Sequence, residues 1–239
     1  MTAIFPVIIQ EDDLPASFLS RKGVVSWPYM TNTIRSADMI APLKGLVLAG
    51  GESSRMGLDK GTIEYHGMPQ RDYLMSLLLS NLPEVFLSSR PGQVIDGHWP
   101  MMEDAYTGLG PFGAILTAFH KEPHCAWLVV ACDFPLLDQN AILQLIQQRN
   151  PKSVATSFLD THTLMPEPWI SILEPSLYPL LQQYYQRGRS SLRGILVDYN
   201  STVIRPDDPD ILLNANTPEE SEALKLRIKS RLEPTPEEE

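Results

Sequence analysis

Apolar residues follow two rhythms along this chain. Short apolar runs at 44–49, 84–88 and 126–131 have the length and β-branched content of strands buried on both faces, as parallel strands are. Between them apolar positions recur at helical spacing, at Tyr73, Leu74, Leu77, Leu78 and Leu82 within 71–82, and at Ile142, Leu145 and Ile146 behind a capping Asp138. Residues 63–65 read as a short extended segment, 99–104 as an edge strand, and 112–120 as a helix entered through Pro111, whose missing N–H costs nothing in a first turn. With a further strand at 153–157, strand and helix alternate. The fold class is therefore α/β: a single Rossmann-like three-layer domain around a mostly parallel twisted sheet.

After residue 158 the pattern loosens into a loop at 159–163, strands at 169–173, 202–205 and 211–213, and helices at 176–187 and 190–196. Thr217-Pro218-Glu219-Glu220 announces a last helix, with a hydroxyl at the cap, proline at the first position and glutamate where a capping box needs it. Residues 1–42 carry too little periodic hydrophobicity for a domain and read as an N-terminal extension of open role. Residues 43–231 read as the catalytic domain and 232–239 as a disordered acidic tail.

The first strand runs into Gly50-Gly51-Glu52-Ser53-Ser54-Arg55-Met56-Gly57-Leu58-Asp59-Lys60. Adjacent glycines let the backbone turn sharply and approach a ligand, and successive N–H groups in such a turn form an anion-binding nest. Arg55 and Lys60 add positive charge where a polyphosphate would lie. The loop is neither a Walker A sequence nor G-x-G-x-x-G.

Charge and cysteine content narrow the class. With a net charge of −10 and a pI near 5.0, the 239-residue chain is no general nucleic-acid binder, so an anionic ligand must be held by a local site. Cys125 and Cys132 lack a histidine at metal spacing and read as buried free thiols in a reducing cytosol. No stretch is apolar enough to cross a bilayer and no leader precedes the domain, so a soluble, cytoplasmic protein is expected. His66, His98, His120, His124 and His162 are scattered and take surface or turn roles; no covalent-catalysis set stands out.

In an open parallel sheet, ligands bind beyond the carboxyl ends of the strands. Four polar clusters fall there: the glycine loop, residues 88–90, Asp104 and Asp133. Asp133 follows six apolar or small residues, where an unpaired carboxylate is costly. Magnesium would resolve that cost, since it prefers one or two carboxylates plus phosphates and water; capping the turn before Phe134-Pro135 is the alternative. Asp104 is either a nucleoside contact or a turn former. Gly108, Gly110 and Gly113 either allow close backbone approach over a ligand or form a plain flexible loop, and Asn214 and Asn216 share one side of an extended segment, facing metal or phosphate, or tying down a turn.

Leu48-Ala49-Gly50-Gly51, Ser54-Arg55-Met56-Gly57 and Asp59-Lys60 resemble the signature loop of the molybdenum cofactor guanylyltransferase (MobA-like) nucleotidyltransferases. Gly110-Pro111-Phe112-Gly113, Cys132-Asp133-Phe134-Pro135 and Asn214-Ala215-Asn216-Thr217-Pro218-Glu219-Glu220 resemble the family's later motifs in order, so the likeness covers about residues 43–226. It implies transfer of GMP from Mg²⁺-bound GTP to the phosphate of a molybdopterin-type cofactor, with release of pyrophosphate. By position it implies that Leu48, Ala49, Gly50, Gly51, Ser88 and Asp104 bind the nucleotide, Lys60 its phosphates, Arg55 the leaving pyrophosphate and Asp133 the magnesium. Asn214 and Asn216 fall near metal and acceptor. Molybdoenzymes or chaperones are implied as recipients of the product.

Two departures bear on specificity. Ser88 stands where the guanylyltransferases carry asparagine, and 166–168 lack basic character near the expected pterin phosphate. A transferase using another base or acceptor, such as CTP on the same cofactor or a sugar phosphate, and a non-catalytic nucleotide-binding regulator are the alternatives.

Overall fold

The computed structural model describes residues 40–49, 60–95 and 97–232, and everything below concerns those residues. The expected N-terminal extension up to residue 39, the loop 50–59 with Gly50, Gly51 and Arg55, and the tail 233–239 lie outside them.

Seven strands form one sheet: β1 (Leu43–Leu48), β2 (Val85–Ser89), β3 (Met101–Glu103), β4 (Ala126–Ala131), β5 (Ala155–Asp160), β6 (Met165–Leu173) and β7 (Ser201–Ile204). Their order is β3-β2-β1-β4-β6-β5-β7, and only β6 runs against the rest. The mostly parallel α/β sheet expected from the alternating pattern is thus present. Six carboxyl ends and the amino end of β6 share one edge.

Six α-helices cover the sheet: α1 (Gln70–Leu79), α2 (Pro111–Lys121), α3 (Gln139–Gln147), α4 (Tyr178–Gln186), α5 (Leu192–Asp198) and α6 (Pro218–Leu232). Asn81 and Gln139 exchange amide hydrogen bonds at 3.1 and 2.8 Å, tying the end of α1 to the start of α3. Phe119 stacks on Tyr178, joining α2 to α4. Every residue of β4 is buried, which is why its sequence shows no alternation; each large side chain there contributes about 1.5–3 kcal/mol by leaving water.

Caps appear where the side chains predict them. The Asp138 carboxylate accepts the Ala141 N–H at 2.9 Å, and Pro111 opens α2. Glu220 takes the N–H groups of Asn216 and Thr217 while Thr217 Oγ1 accepts the Glu220 N–H, which is a capping box.

Three boundaries differ from the pattern. The strand expected at 211–213 is a 3-10 helix, Pro209–Leu212, because Asp208 caps a Pro-first turn by accepting the Asp210 N–H at 2.9 Å. The loop expected at 159–163 shrinks, since β5 runs on to Asp160 and β6 starts at Met165, the two joined as a hairpin with Leu164 at φ 54°. Helix α1 stops at Leu79, and Leu82 is buried from the following loop. Neither cysteine is in a disulfide among the described residues; Cys132 is buried and Cys125 half-buried.

Candidate active site

Strand order divides the shared edge into two halves around β4. On one side lie the ends of β1, β2 and β3, with Ala49, Ser88 and Asp104; on the other lie β6, β5 and β7. At a strand spacing of about 4.8 Å, Asp104 and Asp133 stand about 14 Å apart, so one ligand touching both must be extended.

Asp133 occupies the turn just after β4, one backbone bond from the segment before α6: the Ala215 N–H donates to the Asp133 carbonyl at 3.0 Å. That bond sets the flanking Asn214 and Asn216 on the exposed side of the turn. Lys60, in the 3-10 helix Lys60–Thr62 that follows the glycine loop, donates to Asn216 Oδ1 at 2.9 Å and stands 3.7 Å from Asp133 Oδ2. Asn216 Nδ2 in turn donates to Asn214 Oδ1 at 3.1 Å. The structure therefore brings Lys60, Asp133, Asn214 and Asn216 together. Lys60 and Asn216 are 156 positions apart in sequence.

Asp133 Oδ1 is buried without a hydrogen-bond partner. Burial pushes its carboxyl pKa up, and the Lys60 ammonium opposes that shift. A half-buried carboxylate with one sheltered, bare oxygen beside the Lys60 ammonium fits a divalent ion completed by phosphate oxygens and water. Among the described residues no group of three His, Cys, Asp or Glu side chains stands together.

Asp104 follows β3, and its N–H donates to the Ser89 carbonyl at 2.9 Å. Its Oδ1 is also buried without a partner. Burial raises the carboxyl pKa to about 6, with the Lys121 charge opposing and Glu103 adding. An acceptor left bare at a strand end suits a nucleoside N–H or hydroxyl.

Ser88 is buried, and its Oγ accepts the Ala49 N–H at 3.3 Å, which fixes the chain's exit toward the glycine loop. Gly108 and Gly110 take φ of 75° and 56°, a left-handed backbone that favours glycine, as the chain turns into α2. Gly113 differs: it is helical, and a Cβ there would lie 2.1 Å from the Tyr106 carbonyl oxygen. Its need for glycine comes from packing of the 104–110 loop on α2.

Several residues at this edge carried no sequence signal. Glu167 is buried at the amino end of β6, accepting the Trp169 N–H at 3.0 Å and Arg193 Nη2 at 3.1 Å. Burial raises its carboxyl pKa, the Trp169 N–H and Arg193 oppose, and the charges of Asp133 and Asp160 add. Basic character at 166–168 thus comes from 26 residues away in α5. The turn after Asp133 is held by three side chains from around α1: His66 Nε2 on the Pro135 carbonyl at 2.8 Å, Gln70 Nε2 on the Phe134 carbonyl at 3.3 Å, and Tyr73 Oη on the Leu137 carbonyl at 3.0 Å. His66 and Tyr73 stack with centroids 3.7 Å apart. His66 fits its expected turn role; Tyr73 has the pattern of an ordinary helix position, and Gln70 precedes the expected helix 71–82.

Comparisons with known proteins agree with this layout. Over 187 residues the chain is 34% identical to a "Molybdenum cofactor biosynthesis bifunctional protein" of Synechocystis, covering 75% of this chain and 52% of that one, so it spans about half that relative's length. It is 25% identical over 197 residues to a "Molybdenum cofactor guanylyltransferase" of a Shewanella strain, covering 80% of this chain and 98% of the relative. The fold matches a solved "Molybdopterin-guanine dinucleotide biosynthesis protein A" of Archaeoglobus fulgidus with a TM-score of 0.66 at 15% identity, over 80% of this chain and all of the other. The model of the MobA-like NTP transferase domain matches residues 45–203, the stretch that carries β1 to β7, and the chain belongs to that family.

Proposed function

We propose that the chain transfers GMP from magnesium-bound GTP to the terminal phosphate of molybdopterin or the molybdenum cofactor and releases pyrophosphate. The observation that supports this most is the meeting of Lys60, Asp133 and Asn216 at the middle of the sheet edge, with the bare Asp104 carboxylate three strands away. One end suits charged phosphates and the other a nucleoside.

In this reading Leu48, Ala49, Gly50, Gly51, Ser88 and Asp104 bind the nucleotide's base and ribose end, and Lys60 with Arg55 its phosphates. Asp133 holds the magnesium, which supplies charge neutralisation to the triphosphate when bound. Asn214 and Asn216 face the acceptor side. An acceptor phosphate oxygen attacks the α-phosphorus in line; the new P–O bond forms as the bond to the β-phosphate breaks, and pyrophosphate leaves with the electron pair. That oxygen is already ionised at neutral pH, so no general base is needed, in keeping with the scattered histidines. The names of the relatives support the guanylate and molybdopterin assignments.

The test is a thermal-shift panel of GTP, CTP, ATP and UTP with magnesium, because a ligand that binds only the folded state raises its melting temperature. GTP should give the largest shift. A larger shift with CTP would move the base assignment to cytidylyl transfer, and no shift with any nucleotide would overturn the reading.

A further inference from the structure

Two arginine–glutamate pairs sit at opposite ends of β6, and they are built differently. Just past its carboxyl end, Arg149 grips Glu174 with two parallel bonds, Nε at 2.6 Å and Nη2 at 2.9 Å, and Nη2 also reaches the Ala41 carbonyl at 2.9 Å. Both side chains are nearly withdrawn from water, at 10% and 2% exposure. This pair lies at the edge away from the site and is complete in itself.

At the amino end of β6 the same two residue types make an open pair. Glu167 is fully engaged, with one oxygen on the Trp169 N–H and the other on Arg193 Nη2. Arg193 keeps 40% of its side chain exposed, yet its Nε is sheltered from water with no acceptor among the described residues. Nε lies on the sheltered side of the group, while the exposed part of the planar guanidinium, joined to Glu167 through Nη2, presents a cationic fork that a phosphate matches.

Location says which phosphate. β4 and β6 pair as far as Val130 opposite Ile170, so Asp133 in the turn just beyond β4 and Glu167 near the start of β6 lie at the same end of this strand pair. The Asp133 charge acting on Glu167 agrees with that placement. The strands assigned to the nucleotide lie on the other side of β4, so the second substrate approaches over β6 and its neighbours. Asp133, Glu167 and Asp160 make this half acidic, and a phosphate can approach only past a compensating cation.

We infer that Arg193 grips the terminal phosphate of the acceptor, and that Glu167 is a positioning residue that aims its guanidinium toward Asp133. The assignment rests on the transfer reading above for the existence of a phosphorylated acceptor. Lysine would not substitute fully, since it offers a point charge in place of a fork.

The experiment measures two affinities on the full chain and on R193A, R193K and E167Q: molybdopterin by pterin fluorescence, and GTP with magnesium by thermal shift. Expected is a loss of pterin affinity of roughly ten- to a hundred-fold in R193A, partial recovery in R193K, a smaller loss in E167Q, and an unchanged GTP shift in all three. Equal pterin binding by R193A and parent overturns the inference, as does a GTP shift lost in step with pterin binding. Failure of the parent to bind pterin overturns it too. The parent's GTP shift, read separately, tells whether the wider reading falls with it.

Discussion

Lys60 donates its ammonium to Asn216 at 2.9 Å while standing 3.7 Å from the Asp133 carboxylate, so three segments far apart in sequence meet at one cation. The geometry favours the amide: the carboxylate is beyond hydrogen-bond distance, and Asp133 keeps a bare oxygen. Asn216 therefore aims Lys60 and leaves Asp133 open to another positive charge.

That arrangement predicts coupled effects in the first pair of variants. Lys60→Ala should weaken GTP binding strongly and Asn216→Ala more mildly, because the second removes only the partner that orients the ammonium. The double variant should fall short of the sum by about 1 kcal/mol, as contacting residues generally do. Isothermal titration of GTP with magnesium across the four proteins measures the shortfall, and strict additivity would separate Asn216 from the phosphate end.

Asp133→Asn keeps the size of the side chain and removes its charge. Magnesium-dependent turnover should disappear, and the ligand-free protein should be at least as stable as the parent at pH 7. The sign follows from burial, which raises the carboxyl pKa in the folded chain, so ionisation at neutral pH works against folding. Urea unfolding and a magnesium titration of pyrophosphate release check both halves; unchanged turnover would remove Asp133 from the metal role.

Asp104 offers a pH signature. Its folded pKa of about 6 lies above the ordinary 3.8, so between those values the folded chain holds a proton that the unfolded chain releases. This group's contribution to stability therefore falls as pH rises from about 4 to 6. Asp104→Asn should remove that slope and leave the ligand-free protein about 1 kcal/mol more stable at pH 7, a modest figure because the group keeps partial access to water. Its GTP thermal shift should shrink. Urea unfolding at pH 5 and pH 7 reads the slope; a variant with the parent's slope would place the titration elsewhere.

Much of this was legible in the chain because the residues concerned signal locally. The all-apolar run of β4 announces a strand buried on both faces, and Asp133 is conspicuous for following it; Asp138, Pro111 and Thr217 with Glu220 mark helix starts by their own hydrogen bonds. Arg193 and Glu167 gave no such signal, because what joins them is the reversed strand β6 and the packing of α5 against it. Pro209–Leu212 departs from the expected strand for the opposite reason, since Ile211 and the two leucines have an extended pattern while the capping Asp208 decides the turn. In the sequence Gly113 looks like its neighbours Gly108 and Gly110, free to approach a ligand or to form a plain loop, whereas in the fold it is constrained by the Tyr106 carbonyl, a contact that sequence spacing does not reveal.

Gly113→Ala tests that last point. A methyl group 2.1 Å from the Tyr106 oxygen has no room, and the atom in the way is backbone, so the 104–110 loop must move off α2. The expected cost is about 2–4 kcal/mol by urea unfolding, with a weakened GTP shift because Asp104 moves with the loop. Gly108→Ala meets no atom, and its cost should come only from the left-handed backbone at φ 75°, on the order of 1 kcal/mol. Equal costs at the two positions would refute the packing account.

The turn after Asp133 depends on side chains that touch no substrate in the proposed reaction. Tyr73→Phe keeps the ring that stacks on His66 but removes the hydroxyl that satisfies the Leu137 carbonyl, while His66→Phe keeps a ring and removes the donor to Pro135. Each should lose about 1 kcal/mol of stability, the usual net worth of one such bond. Each should also raise the magnesium concentration needed for half-maximal turnover by a few-fold, because a looser turn holds Asp133 in its productive position for less of the time. A drop in stability with the parent's magnesium requirement would confine these contacts to the fold. A raised magnesium requirement in both, with the GTP concentration dependence at saturating magnesium unchanged, would show that the α1 side of the molecule sets the metal carboxylate independently of the glycine loop.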